Sequence, residues 1–180
     1  IARARIVASP GCYPTSILLP LIPLFRAGML EPEDVVVCSG SGVSGAGRKA
    51  SIPLLFCECN ESFHAYGVPK HRHLSEIEQE LSHAAGETVV MSFTPHLIPV
   101  NTGICSTITA KVKKGADPEC VGRLLEEAYA AAPFVRLLGR NQPADTKNVP
   151  RTNCVDIGWA YDPRTNRVIL MSAEDNVVKG

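Results

Sequence analysis

Apolar residues recur along the chain with two periods, and the change from one to the other marks its elements. Pro14 to Gly28 is predicted as a helix: Pro14 suits a first turn, Gly28 a C-terminal stop, and Pro20 and Pro23 should kink it. Leu74, Ile77, Leu81 and Ala84 return at helical spacing, which predicts a helix over Arg72 to Ala85 with Gly86 ending it. Asp117-Pro118 opens a third helix through Ala132. Strand signals fall at Arg5 to Ala8, Val35 to Ser39, Thr88 to Thr94, Ile104 to Val112, Val155 to Tyr161 and Arg167 to Ser172. Because several of these strands follow one another without a helix between, the expected fold is α+β, a mixed, largely antiparallel sheet with helices on one face.

Composition narrows the classes of function. The 180 residues carry 18 basic and 18 acidic side chains, so the net charge of zero gives nucleic acid or a charged membrane surface no handle. The longest apolar stretch, Ile17 to Phe25, is interrupted by Pro20 and Pro23 and is about half of what spans a bilayer. Small-molecule and protein partners remain. Seven cysteines without a framework spacing fit a reducing compartment, and cytoplasmic location is expected. The chain begins Ile1-Ala2-Arg3 with neither an initiator Met nor a signal peptide, so it reads as one domain cut from something longer.

One cysteine has a chemical address. In Ser9-Pro10-Gly11-Cys12-Tyr13-Pro14-Thr15, Cys12 stands between an extended stretch and a helix start, where free N–H groups and the helix dipole lower a thiol pKa from about 8.5. A free cysteine is more often a small buried hydrophobe, and that reading stands beside the nucleophile. A nucleophilic thiol needs a proton partner that works near neutrality, which points to His71 and His73; His64, His83 and His96 read as structural.

Two other motifs lead away from chemistry. The loop Gly40 to Lys49 contains G-x-G-x-x-G, but too few good helical positions follow for a dinucleotide fingerprint, and Arg48 stands where a P-loop requires lysine. A glycine-rich wall with backbone N–H groups near a ligand, and Arg48 or Lys49 for an anion, is the better expectation. Cys57-x-Cys59 with His71-x-His73 has the wrong spacing for structural zinc, and no metal is expected.

Taken in order, Pro10 to Thr15, Ser39 to Lys49, His71-Arg72-His73 with Glu76-Ile77, Phe93 to Pro99 and Asp175 to Gly180 resemble the N-acetyl-γ-glutamyl-phosphate reductase family of arginine biosynthesis. The resemblance implies that residues 1–180 are the catalytic and dimerisation domain, similar in fold to the C-terminal domain of glyceraldehyde-3-phosphate and aspartate-semialdehyde dehydrogenases. It places an N-terminal NADP-binding Rossmann domain and a final helix outside this chain. It further implies a homo-oligomer, dimer or tetramer, that reduces an acyl phosphate with NADPH through a thioester on Cys12. His71 then acts as acid/base with His73 in reserve, Arg48, Tyr66 and Glu76 contact substrate, and Ser41, Gly42 and Asn176 meet the cofactor. Where the family usually has Asn, this chain has Ser9, which shortens the reach of that side chain. An aminoadipyl- or aspartyl-phosphate reductase, a thiol hydrolase and a non-catalytic assembly module are the competing readings.

Overall fold

The computed structural model describes residues 3–179; Ile1, Ala2 and Gly180, the last residue of the terminal motif, lie outside them. Helix α1 runs from Cys12 to Arg26, α2 from Phe56 to Cys59, α3 from Leu74 to Ala85 and α4 from Val121 to Tyr129. Strands are β1 (Leu30–Ser41), β2 (His64–Ala65), β3 (Met91–Leu97), β4 (Ile104–Val112), β5 (Val135–Arg140), β6 (Val155–Asp162) and β7 (Arg167–Glu174). They form a seven-stranded sheet in the order β2-β3-β1-β4-β7-β6-β5. The pairs β1–β3 and β5–β6 are parallel and the other four antiparallel, the expected mixed α+β sheet.

Burial alternates along the central strands as the pleat requires. Val35, Val37 and Ser39 of β1 and Ser106, Ile108 and Ala110 of β4 face the helices, whereas Val36, Cys38 and Thr107 point to the open side. Helix α1 lies across β4 and β7, flanked by α3 and α4, and buries Ile17, Leu21 and Leu24 completely. At roughly 1.5–3 kcal/mol for each such side chain, this contact anchors α1 on the sheet.

Two expectations are corrected. Arg5 to Ala8 is not a strand: Ile6 and Val7 are exposed, no neighbouring strand takes up their hydrogen bonds, and β-propensity alone cannot hold an unpaired strand. The helix expected from Asp117 is a 3₁₀ turn followed by the shorter α4, with the Asp117 carboxylate accepting from the Glu119 N–H as the cap. Strand β5 is not among the expected strands: this short edge strand buries no residue fully, with Val135, Leu137 and Leu138 half-buried and Arg136 and Arg140 exposed, so it leaves no clear apolar alternation.

Pro20 and Pro23 lie inside a continuous α1. Pro20 and Pro23 each leave one carbonyl four residues back without its helical donor. The Ser172 hydroxyl of β7 donates to the Ser16 carbonyl at 2.6 Å, and the Tyr129 hydroxyl of α4 donates to the Leu19 carbonyl at 2.6 Å. The Ser16 hydroxyl meets Ser106 at 2.8 Å, and Ser106 meets Ser39 at 2.7 Å, all four serines being buried. The first half of α1 is thus pinned to three central strands by hydroxyls.

Candidate active site

Cys12 is the first residue of α1, with Gly11 at the N-cap, so its sulfur lies where the helix N–H groups are free. It opens onto a cleft of about 470 Å³ that also takes in His71, Arg72 and His73 from the turn before α3, Tyr66, and the Ser41–Gly42 end of β1. Residues 59 positions apart in sequence thereby line one cleft. His64, assigned a structural role from sequence, also lines this cleft, as does Arg72; a motif reading that ranks histidines by neighbours has no means of placing either.

The two histidines are distinguishable. The backbone N–H of His73 donates to Nδ1 of His71 at 3.2 Å. With Nδ1 an acceptor, the ring proton of neutral His71 sits on Nε2. Burial lowers the His71 pKa to about 4, helped by His73 and by the Arg72 charge, so His71 is neutral at physiological pH. The His73 ring packs so closely on Gly11 that a β-carbon there would stand 2.5 Å from Nε2, and its buried Nδ1 has no hydrogen-bond partner. Its pKa is likewise pulled down by burial and by Arg72. Tyr13, stacked edge-on against His71 at 5.3 Å, shares a 2.8 Å hydroxyl–hydroxyl hydrogen bond with Tyr66. Burial pushes both phenols up, so both stay protonated.

The sulfur departs from the local expectation. Burial raises the Cys12 pKa; the Tyr13 N–H, its own N–H and Arg72 pull it down, and buried Glu174 pushes it up. Desolvation disfavours the thiolate more than the helix start favours it, so Cys12 rests as a thiol.

Glycine-loop expectations are also corrected. The loop closes into a 3₁₀ turn over Val43–Ala46, and several of its N–H groups are spent within the protein: Gly42 donates to the Gly103 carbonyl, Val43 to Val100 and Ser44 to Asn101. Asn176 is clamped behind this loop. Its Oδ1 accepts from the Gly103 N–H at 2.8 Å and from Ser44 at 3.0 Å, while its Nδ2 donates to Ser41 and to the Gly42 carbonyl, both at 3.3 Å. Fully engaged and buried, the amide shapes the wall that Ser41 and Gly42 present. Arg48 is exposed on the turn beyond, Glu76 lies in the first turn of α3, and neither lines the cleft. Ser9 lines a separate groove along α1 with Lys179. Among the described residues no three His, Cys, Asp or Glu side chains gather as a metal site, and no helix is long and apolar enough to cross a membrane.

The chain is 98% identical over its full length to an N-acetyl-gamma-glutamyl-phosphate reductase of Akkermansia muciniphila and 49% identical over 181 aligned residues to one of Desulfotalea psychrophila. It spans about half of each, 52% of their length. In fold it resembles aspartate semialdehyde dehydrogenase II of Vibrio cholerae, with a TM-score of 0.73 at 18% identity over 97% of this chain and 58% of that one. Residues 12–176 match the model of the semialdehyde dehydrogenase dimerisation domain, and the chain belongs to that family.

Proposed function

We propose that this chain is the catalytic and dimerisation part of an N-acetyl-γ-glutamyl-phosphate reductase, which converts N-acetyl-L-glutamyl 5-phosphate to the 5-semialdehyde and phosphate in arginine biosynthesis. The reading rests on one observation: Cys12 at the start of α1 and His71 before α3 open onto the same cleft, in a chain 98% identical to a reductase of that name.

In this reading the Cys12 thiol gives its proton to the departing phosphate oxygen as the sulfur attacks the acyl carbonyl. Its sulfur forms the new S–C bond, the C–O bond to phosphate breaks, and a thioester remains on Cys12. The Nε2–H of neutral His71 donates a hydrogen bond to the oxygen that gains charge when the thioester is reduced, and the proton that completes the thiohemiacetal is taken up from solvent. His73, held on Gly11, is the alternative base for the thiol. Free N–H groups at the first turn of α1 stabilise the same oxyanion, at roughly 3 kcal/mol for a well-aimed donor. Ser41, Gly42, Gly45 and Ala46 form a wall of small residues beside Cys12, which fits a flat nicotinamide ring. NADPH, when bound, supplies the hydride; most of its contacts belong to an N-terminal domain outside this chain. Collapse of the thiohemiacetal then frees the aldehyde and restores the thiol.

A second copy would cover the open sheet face of Val36, Cys38 and Thr107, giving a homodimer or a higher oligomer built from it. Seven free thiols suit the cytoplasm. Cys12→Ser in the two-domain enzyme should abolish NADPH-dependent reduction of N-acetylglutamyl phosphate and leave the oligomer intact, as read by assay and sedimentation. Retained turnover would remove the mechanism, and faster turnover of aspartyl or aminoadipyl phosphate would reassign the substrate.

A further inference from the structure

The charges around the cleft are one-sided. No Asp or Glu lines it, and the acid felt at Cys12, Glu174, is fully buried beneath and held neutral by burial, its pKa raised to about 9. Arg72 does line it. Arg123, Arg136, Arg140, Arg164 and Arg167 each bridge to a carboxylate, whereas among the described residues the guanidinium groups of Arg26, Arg48, Arg72 and Arg151 have no ion pair and no hydrogen bond, and of these four only Arg72 lines the cleft. Arg72 is exposed at the mouth of the cleft, and its charge still acts at once on Cys12, Tyr66, His71 and His73, which places it within reach of the reactive groups.

An unpaired guanidinium in an acid-free cleft is a fork of donors waiting for a planar or tetrahedral oxyanion. We propose that Arg72 is the anion-binding residue of this cleft, holding a phosphoryl or carboxylate group of the molecule that reacts at Cys12. It is adjacent in sequence to His71, so the group that holds the anion and the group that donates the hydrogen bond come from one turn, tied by the Leu74 N–H to the His71 carbonyl at 3.0 Å. An anion seated on Arg72 therefore orients the reacting carbonyl relative to His71 as well as to Cys12. The identity of that anion rests on the reaction proposed above; the preference of the cleft for negative charge does not.

The preference is read from alkylation of Cys12 in this chain by anionic iodoacetate and neutral iodoacetamide, followed by peptide mass mapping. Both reagents need the thiolate, so the ratio of their rates cancels the ionised fraction and leaves the attraction of the cleft for a carboxylate. Arg72→Met should lower that ratio about 5-fold to 10-fold, as expected for one charge at short range near a protein surface, and Arg72→Lys should keep most of it. An unchanged ratio in Arg72→Met overturns the proposal. In the two-domain enzyme run toward acyl phosphate, the KM values for phosphate and for the semialdehyde are measured separately. A rise in the first upon Arg72→Met assigns the phosphoryl group to Arg72, and a rise in the second assigns the substrate carboxylate. If both KM values hold while the parent enzyme turns over, the assignment to this substrate is wrong. If the parent enzyme itself fails to turn over, the reaction proposal falls and the alkylation ratio alone decides the anion site.

Discussion

The Ser172 hydroxyl donates at 2.6 Å to the Ser16 carbonyl, the group that Pro20 deprives of its helical donor. A proline in the middle of the helix that carries Cys12 is thereby turned into a docking point on β7. Ser172→Ala leaves that carbonyl buried and unpaired, at an expected cost of about 1–3 kcal/mol by urea denaturation. Pro20→Ala returns an N–H to the same carbonyl, so Ser172→Ala should cost about 1 kcal/mol less in that background. Strictly additive changes would mean that the two donors do not compete for one acceptor.

Gly11 holds His73 by its lack of a side chain. Its own φ of −72° suits alanine, so Gly11→Ala has no backbone strain, yet its new β-carbon would overlap Nε2 of His73. The ring must move while the fold stays. Turnover of the two-domain enzyme should fall about 10-fold to 100-fold with KM little changed, the size of loss that a displaced catalytic neighbour brings. Unaltered kcat would remove His73 from the reacting set.

Buried Glu174 writes itself into the pH dependence of stability. Both its carboxyl oxygens lack partners, and its pKa is raised to about 9 from an unfolded value of about 4.3. Between those values the folded state holds a proton that the unfolded chain releases, so stability falls as pH rises through that window. Glu174→Gln should abolish this loss, adding a few kcal/mol at about pH 7 and little at about pH 4. His71 runs the opposite way. Its lowered pKa means that the unfolded chain takes up the proton first, so stability falls as pH drops from about 6.5 toward about 4, and Glu174→Gln should leave this acid limb in place. Denaturant titrations across that range, for parent and variant, separate the two; an alkaline limb that survives the substitution would place its origin elsewhere.

Much of this was legible from residue order, because local physics determined it. Period and punctuation located α1, α3 and the long strands, and their sequence without helices between implied a mixed sheet. The setting of Cys12 ahead of Pro14 marked the nucleophile candidate, and His71-Arg72-His73 its partners. What only the tertiary structure decided is how distant groups settle each other's needs. Packing outweighed the helix start and kept Cys12 a thiol; the carbonyls of residues 100, 101 and 103 took the N–H groups of Gly42, Val43 and Ser44; hydroxyls from β7 and α4 rescued the prolines of α1; and Arg72 was left without a side-chain partner among the described residues. A residue's neighbours in sequence set its backbone preferences, but desolvation and hydrogen-bond satisfaction depend on which atoms arrive from elsewhere in the chain, and that is known only once the sheet has brought them together.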